Sequence, residues 1–167
     1  MKRLSNRFSV GRPQRIIGKL ISLISVFIIG GIIYYSLEVL WRGYSHWTMF
    51  VCAGMCSLII MFLNDYFYEF NTDFRVQCVT AGIICSIVEY IIGELFNQDY
   101  SIWDYRGLWG TLICLDSQVN ILFVCLWILI CCFAIPFLDY IQWRLGLGER
   151  PWYRIGKKYY NPWEEKG

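Results

Sequence analysis

Long apolar runs with few polar interruptions dominate the chain. Four of them lie near residues 18–40, 47–66, 76–96 and 119–139. A helix needs about 20 residues to cross a hydrocarbon core about 30 Å thick, and each run is close to that length. The pattern therefore predicts an all-α, polytopic membrane protein with four transmembrane helices.

A shorter apolar stretch precedes the last run, within residues 107–118. Gly107 and Gly110 lie at its start, and polar residues from Asp116 to Asn120 follow it. The stretch is too short to cross a membrane, so it fits a re-entrant half-helix before the fourth helix. The alternative is a fourth helix that extends beyond the bilayer.

Basic residues are concentrated at the two ends of the chain. Residues 1–15 and 141–167 flank the apolar runs, and only three of the 15 Lys and Arg residues lie between the first and last runs. Cytoplasmic segments carry an excess of Lys and Arg, which predicts that both termini are cytoplasmic. Four spans satisfy this orientation, whereas three or five do not. Membrane insertion with both termini in the cytoplasm accounts for the basic ends, so we expect no binding of nucleic acid.

The composition supports the same organisation. Only 17% of the residues are charged, against about 25% in a soluble domain. We expect a basic cytoplasmic arm at residues 1–15, a four-helix transmembrane domain at 16–140, and a basic, aromatic cytoplasmic tail at 141–167. The first run is too long for a cleaved signal peptide, which indicates a signal anchor that is retained. The predicted location is the plasma membrane, with the lipid bilayer as the first partner.

Two glutamates lie within these apolar runs. Glu38 is near the end of the first run, and Glu89 is inside the third. A carboxylate at the centre of a membrane helix costs about 2.5–3.5 kcal/mol on insertion scales, so some interaction must offset it. Helical spacing places Glu89 on one face with small residues, which is typical of a helix-packing face. These small residues are Gly82, Cys85, Ser86 and Gly93.

The predicted topology places both acids towards the outer ends of helices one and three. The candidate substrate- or ion-binding residues combine them with polar and aromatic residues of the outer loops: Glu38, Glu89, Arg42, His46, Trp103, Asp104 and Tyr105. In a structural interpretation, Arg42 pairs with Glu38 at helical i,i+4 spacing and the acids only fix helix packing. In a functional interpretation, the acids line an outward-facing cavity that binds a proton, a cation or a basic substrate group.

Catalytic and metal-binding motifs are not found in the sequence. It contains no GxSxG, HExxH or Walker A pattern, and its eight cysteines show no CxxC spacing. We therefore expect no enzyme activity, no cofactor and no metal site. Seven cysteines fall within predicted spans, where they suit small packing positions.

Several blocks resemble the ABC-transporter type IV permease family of small multi-span bacterial membrane proteins. They are YYSLEVLWRGYSHWTMF at Tyr34–Phe50, SIVEYIIG at Ser86–Gly93, Trp103-Asp104-Tyr105, and Ile113-Cys114-Leu115. The resemblance that these blocks mark extends over most of residues 30–140. The family usually has a longer Asn- and Pro-containing stretch after the WDY motif, where this chain has RGLWGTL. The resemblance implies a transporter subunit, and the seven candidate residues are the positions that carry over.

The leading hypothesis is a permease-like transporter subunit with a buried polar site built on Glu38 and Glu89. Four helices enclose little volume, so we expect a homo-oligomer or association with other membrane subunits. An ABC-type system would also require a separate ATPase, for which the acidic turn Asp65–Asp73 and the basic tail are candidate docking surfaces. The alternatives are a non-transporting membrane assembly or envelope-stress protein and a small intramembrane enzyme that acts on lipid.

Overall fold

The protein is mostly helical, as the apolar pattern predicts. The computed structural model describes residues 12–69, 71–106, 114–115, 118–146 and 150–163. Within them the helices are α1 (Arg12–Arg42), α2 (Trp47–Glu69), α3 (Phe74–Phe96) and α4 (Ile121–Arg144). Two short antiparallel strand pairs join them: β1 (Cys114–Leu115) with β2 (Val119–Asn120), and β3 (Tyr153–Ile155) with β4 (Lys158–Tyr160).

Three helices of the described part are long and apolar enough to cross a membrane. They comprise Ile17–Arg42, Phe74–Phe96 and Ile121–Arg144. The apolar part of α2, Trp47–Leu63, is shorter and spans about 26 Å at 1.5 Å per residue. The chain is thus compatible with an integral membrane protein, while a second span at 47–66 stays a prediction.

The first helix begins earlier than the apolar pattern indicates. α1 starts at Arg12 and includes Pro13, whereas the sequence predicts a separate arm up to residue 15. Proline is tolerated in the first turn of a helix because the N–H groups of that turn have no partner inside the helix. Residues 1–11 of the predicted arm lie outside the described residues.

Glycines allow the helices to pack closely in two antiparallel pairs, α1 with α2 and α3 with α4. A Cβ atom added at Gly82 would lie 2.7 Å from the backbone nitrogen of Ile128 on α4, and one at Gly31 would lie 2.8 Å from the carbonyl oxygen of Phe50 on α2. Only a residue without a side chain fits such contacts. α2 also packs against α3 and α4 and so joins the two pairs.

The predicted packing face of α3 is confirmed. Gly82, Cys85, Ser86, Glu89 and Gly93 are all buried. Of the seven cysteines in the helices, all free, five are buried, Cys132 is partly buried and Cys125 is exposed. No group of three or more His, Cys, Asp or Glu residues in the described ranges could hold a metal ion.

Part of the C-terminal tail folds back onto the helix ends as the C-terminal hairpin, residues 153–160. The Tyr153 hydroxyl donates to the buried Asp139 carboxylate of α4 at 2.6 Å. The Gly156 N–H donates at 2.6 Å to Asp73, which caps α3 by accepting from the Arg75 N–H at 3.0 Å. Hydrogen bonds from the Arg75 side chain and from Gly156 hold the pKa of Asp73 well below its usual range. The hairpin is therefore anchored to α3 and α4.

The predicted half-helix falls largely outside the described residues, which omit 107–113, 116 and 117. Its described part is extended at Cys114–Leu115, which pairs with Val119–Asn120. The re-entrant arrangement stays a prediction. Asn120, the last residue of β2, also caps α4, because its side chain accepts a hydrogen bond from the Leu122 N–H at 2.9 Å.

Candidate functional site

Glu89 is enclosed in the interior of the helix bundle. Its side chain is almost completely buried, with 2% of the residue surface exposed. The Tyr105 hydroxyl donates to Oε1 at 2.9 Å, and the Trp127 indole N–H donates to Oε2 at 2.8 Å. Both carboxylate oxygens are thus bonded, but both donors are neutral. No ion pair to Glu89 occurs among the described residues.

Aromatic rings from three different elements surround this carboxylate. Trp127 of α4 stacks on Tyr34 of α1, with ring centroids 5.7 Å apart and planes 8° from parallel. Tyr105 packs against Phe123 at 4.4 Å between centroids. Burial raises the pKa of Tyr105, so its hydroxyl stays protonated and available as a donor.

A buried amide cluster holds the loop that delivers Tyr105, which we call the outer loop (residues 97–106). Asn97 at the end of α3 donates to the Trp103 carbonyl at 2.7 Å and accepts from the Ile102 N–H at 2.8 Å. Gln118 donates to the Asn97 carbonyl at 3.0 Å, and its own carbonyl accepts from the Trp103 indole at 3.1 Å. Because these groups are buried and hydrogen-bonded to one another, they hold the loop in place over Glu89.

Glu38 and Arg42 form the predicted ion pair at 2.7 Å. Ser45 donates a short hydrogen bond to the second oxygen of Glu38. Arg42 also donates to the Ile102 carbonyl of the outer loop at 2.9 Å. The pair therefore ties the end of α1 to the same loop that places Tyr105 on Glu89.

The WDY motif divides between the two sides of the outer loop. Trp103 and Tyr105 point inward and are buried, with 8% of each residue exposed. Asp104 points outward and pairs with Arg106 at 2.7 Å. The hydrogen bond from Arg106 lowers the pKa of Asp104 to about 2. Asp104 is thus a surface residue, and the structure does not bring it to the buried carboxylate.

His46 lies outside the Glu89 site. Its Nδ1 is 2.8 Å from the Thr48 hydroxyl. It lines an open cleft of about 370 Å³ together with residues from the end of α3 and the outer loop: Leu95, Phe96, Gln98, Asp99, Ser101 and Ile102. This separates His46 from the two acids.

The structure therefore gathers five of the seven predicted residues under one loop. Trp103 and Tyr105 belong to the outer loop, Glu89 and Arg42 bond to it, and Glu38 joins them through Arg42. Asp104 belongs to the loop but faces outward, and His46 faces the cleft. Sequence reasoning missed four residues that build the site: Tyr34, Asn97, Gln118 and Trp127. An aromatic residue in an apolar run, or an amide in a polar loop, gives no local signal of such a role.

Comparison with known proteins adds no further assignment. No family model matches the chain, and no curated protein or solved structure matches it. The function must therefore be argued from the residues of the site.

Proposed function

We propose that this protein is a permease-like membrane subunit in which the Glu89 carboxylate binds a proton or a small monovalent cation. The observation that carries the proposal is the buried Glu89 with only neutral donors. Ionisable residues inside membrane helices are costly and commonly mark ion or substrate pathways. A carboxylate that lacks a cationic partner is a site where a mobile cation or a proton can supply the missing charge.

The surroundings favour a cation over an anion. The negative charge of the carboxylate is offset by two neutral donors alone, the Tyr105 hydroxyl and the Trp127 indole N–H, and such a site attracts cations and repels anions. The outer loop then acts as the cover that a ligand must pass. Its Tyr105 hydroxyl bond, at 2.9 Å, is the contact that would open.

We place this site in a four-span plasma-membrane protein with both termini in the cytoplasm, following the distribution of Lys and Arg. A path for a substrate would need more than one chain, either in a homo-oligomer or with other membrane subunits. A separate ATPase is the partner that the family resemblance suggests. The acidic turn and the basic tail, two candidate docking surfaces, meet in the contact of Asp73 with Gly156, so a partner would encounter them as one surface.

A hydrophobic carbodiimide tests the site without requiring a partner or a known substrate. The reagent adds to a carboxyl group that can take up a proton in an apolar site, and the adduct is located by peptide mass spectrometry. We expect labelling of Glu89 that is slowed by excess Na⁺, Li⁺ or K⁺ or by raised pH. Tyr105→Phe removes the covering hydrogen bond and should increase the labelling rate.

The matched control is Glu94, an exposed acid on the same helix. Glu94→Gln should leave labelling and cation protection unchanged, whereas Glu89→Gln should abolish the adduct. If Glu89 in the intact protein and in the Tyr105→Phe variant is indifferent to all three cations and to pH, the binding site is refuted.

A second candidate is a non-transporting membrane assembly protein. The observation that favours it is that both oxygens of Glu38 and both oxygens of Glu89 already have internal partners. In that case the acids fix the helices and the outer loop. The same labelling experiment separates the two, because a purely structural acid has no reason to be protected by a small cation.

A further inference from the structure

The C-terminal hairpin carries two lysines that the rest of the described fold leaves without a counter-charge. Lys157 lies in its turn and Lys158 begins β4, and both are exposed. Neither has an ion-pair partner among the described residues. Asp73 is the acid that contacts the hairpin, and it already pairs with Arg75 and accepts a hydrogen bond from the Gly156 N–H.

The turn fixes the position of these lysines. β3 and β4 pair with Ile155 opposite Lys158, which leaves a two-residue connection of Gly156 and Lys157. Gly156 has a φ of +61°, a conformation that L side chains adopt only with strain, and glycine at the first central position is typical of a II′ hairpin turn. The lysines therefore project from a defined hairpin.

Exposed apolar and aromatic side chains share a face with Lys158. The strand register places Ile155 opposite Lys158 and Tyr153 opposite Tyr160, and directly opposed residues lie on the same face of a hairpin. Ile155 is 37% exposed and Tyr160 is 46% exposed. An apolar and aromatic surface beside lysines is the composition that suits the boundary between hydrocarbon and lipid headgroups.

The anchoring of the hairpin sets its depth at that boundary. Asp139 lies 18 residues after Ile121, the first residue of α4, which is about 27 Å along a helix. That is close to the thickness of a hydrocarbon core, about 30 Å. For a span that starts at Ile121, the hydrogen bond from Tyr153 to Asp139 at 2.6 Å therefore places the hairpin at the membrane boundary. Tyr140 and Trp163 stack at 5.4 Å at the same end.

We propose that the C-terminal hairpin is a binding surface for anionic phospholipid headgroups, with Lys157 and Lys158 as the phosphate-contacting groups. The exposed part of this face, Ile155 and Tyr160, argues for a lipid over a free phosphate ion, since an inorganic anion would gain nothing from either side chain. Tyr153 on the same face is buried and anchors the hairpin. Each basic residue near an anionic bilayer surface contributes about fivefold to affinity, so removal of both should weaken binding about 30-fold.

The experiment uses the full chain purified in detergent and titrated with phosphatidylglycerol, phosphatidylcholine or inorganic phosphate, with bound lipid counted by native mass spectrometry. Phosphatidylglycerol should bind preferentially to the wild-type protein, and Lys157→Gln/Lys158→Gln should weaken that binding about 30-fold. Lys19→Gln, which removes an exposed charge from α1, is the matched control and should retain it. Equal binding to the double variant, or equal competition by inorganic phosphate, overturns the proposal.

A second measurement needs no variant. Amine-reactive labelling of Lys157 and Lys158 should be slower in phosphatidylglycerol nanodiscs than in phosphatidylcholine nanodiscs, while labelling of Lys19 changes less. If both lysines label equally in the two nanodiscs but are protected in native membranes, a protein partner occupies the surface and the lipid assignment is wrong.

Discussion

The contact of α3 with α4 at Gly82 is where the smallest substitution should have a large effect. A Cβ atom there would lie 2.5 Å from Ile128 Cγ1 and 2.7 Å from both the Cα and the backbone nitrogen of Ile128. Non-bonded carbon atoms prefer separations of about 3.5–4.0 Å. Because backbone atoms cannot move away by a change of rotamer, Gly82→Ala should force the two helices apart by about 1 Å.

The expected change in stability follows from two opposing effects. Overpacking of this kind costs about 1–3 kcal/mol, and alanine in place of glycine within a helix returns about 0.5–1 kcal/mol. The net destabilisation should therefore lie between about 0 and 2.5 kcal/mol, with a centre of about 1 kcal/mol. Glu89 lies two turns along the same face of α3, and its partner Trp127 adjoins Ile128. The hydrogen bond of 2.8 Å between them should lengthen as the helices separate.

Gly54→Ala is the matched control, since it is also a buried glycine within a helix. The three atoms nearest its Cβ would be ring atoms of Phe27, at 2.7–2.9 Å, and a side chain can rotate away. We expect the purified Gly82→Ala protein to unfold at a lower fraction of SDS in mixed micelles than the Gly54→Ala protein. The reasoning is refuted if both variants unfold at the same fraction, or if Gly54→Ala is the less stable of the two.

Three further predictions concern the outer loop and the C-terminal hairpin. Arg42→Gln should expose the outer loop to proteolysis because it leaves Glu38 without its cation. The double variant Glu38→Gln/Arg42→Gln should restore part of the protection. Unchanged cleavage of the loop in Arg42→Gln would contradict this. Tyr153→Phe should speed proteolysis of the hairpin about tenfold, the effect of losing about 1–2 kcal/mol of hydrogen bonding, and unchanged cleavage would refute the anchor. Arg75 lowers the pKa of Asp73. The stabilisation that ionised Asp73 gives the hairpin is therefore complete above about pH 4 and is lost as the pH falls through the lowered pKa. Hairpin cleavage should rise in acid, and Asp73→Asn should remove that dependence.

Local spacing was sufficient to predict the parts of the site that lie on one helix. The i,i+4 interval of Glu38 and Arg42 is an ion pair in the structure, and the stripe that carries Glu89 is buried. Both results follow from the 3.6-residue repeat, which relates neighbours on a helix without knowledge of the fold.

Partners on different elements could not be predicted in this way. Trp127 follows Glu89 by 38 residues, and Gln118 follows Asn97 by 21. Their contacts depend on how α3 and α4 cross and on the path of the outer loop, which no sequence interval encodes. For residues 153–160 the sequence likewise predicts only a basic, aromatic tail, because the anchor of the hairpin to Asp139 is a tertiary contact.

Hydrogen bonding alone does not explain why position 89 holds a carboxylate. The Trp127 indole can only donate, whereas the Tyr105 hydroxyl can donate or accept. A glutamine of the same shape could accept from Trp127 through its oxygen and donate to Tyr105 through its nitrogen, and it would avoid burying a charge. In Glu89→Gln the Tyr105 hydroxyl would no longer donate to residue 89 and one amide N–H would need a further acceptor, at a cost of about 1–3 kcal/mol. That cost is smaller than the several kcal/mol needed to bury an unpaired charge, so under the proposed function the bound cation, rather than the hydrogen bonds, is what favours the acid.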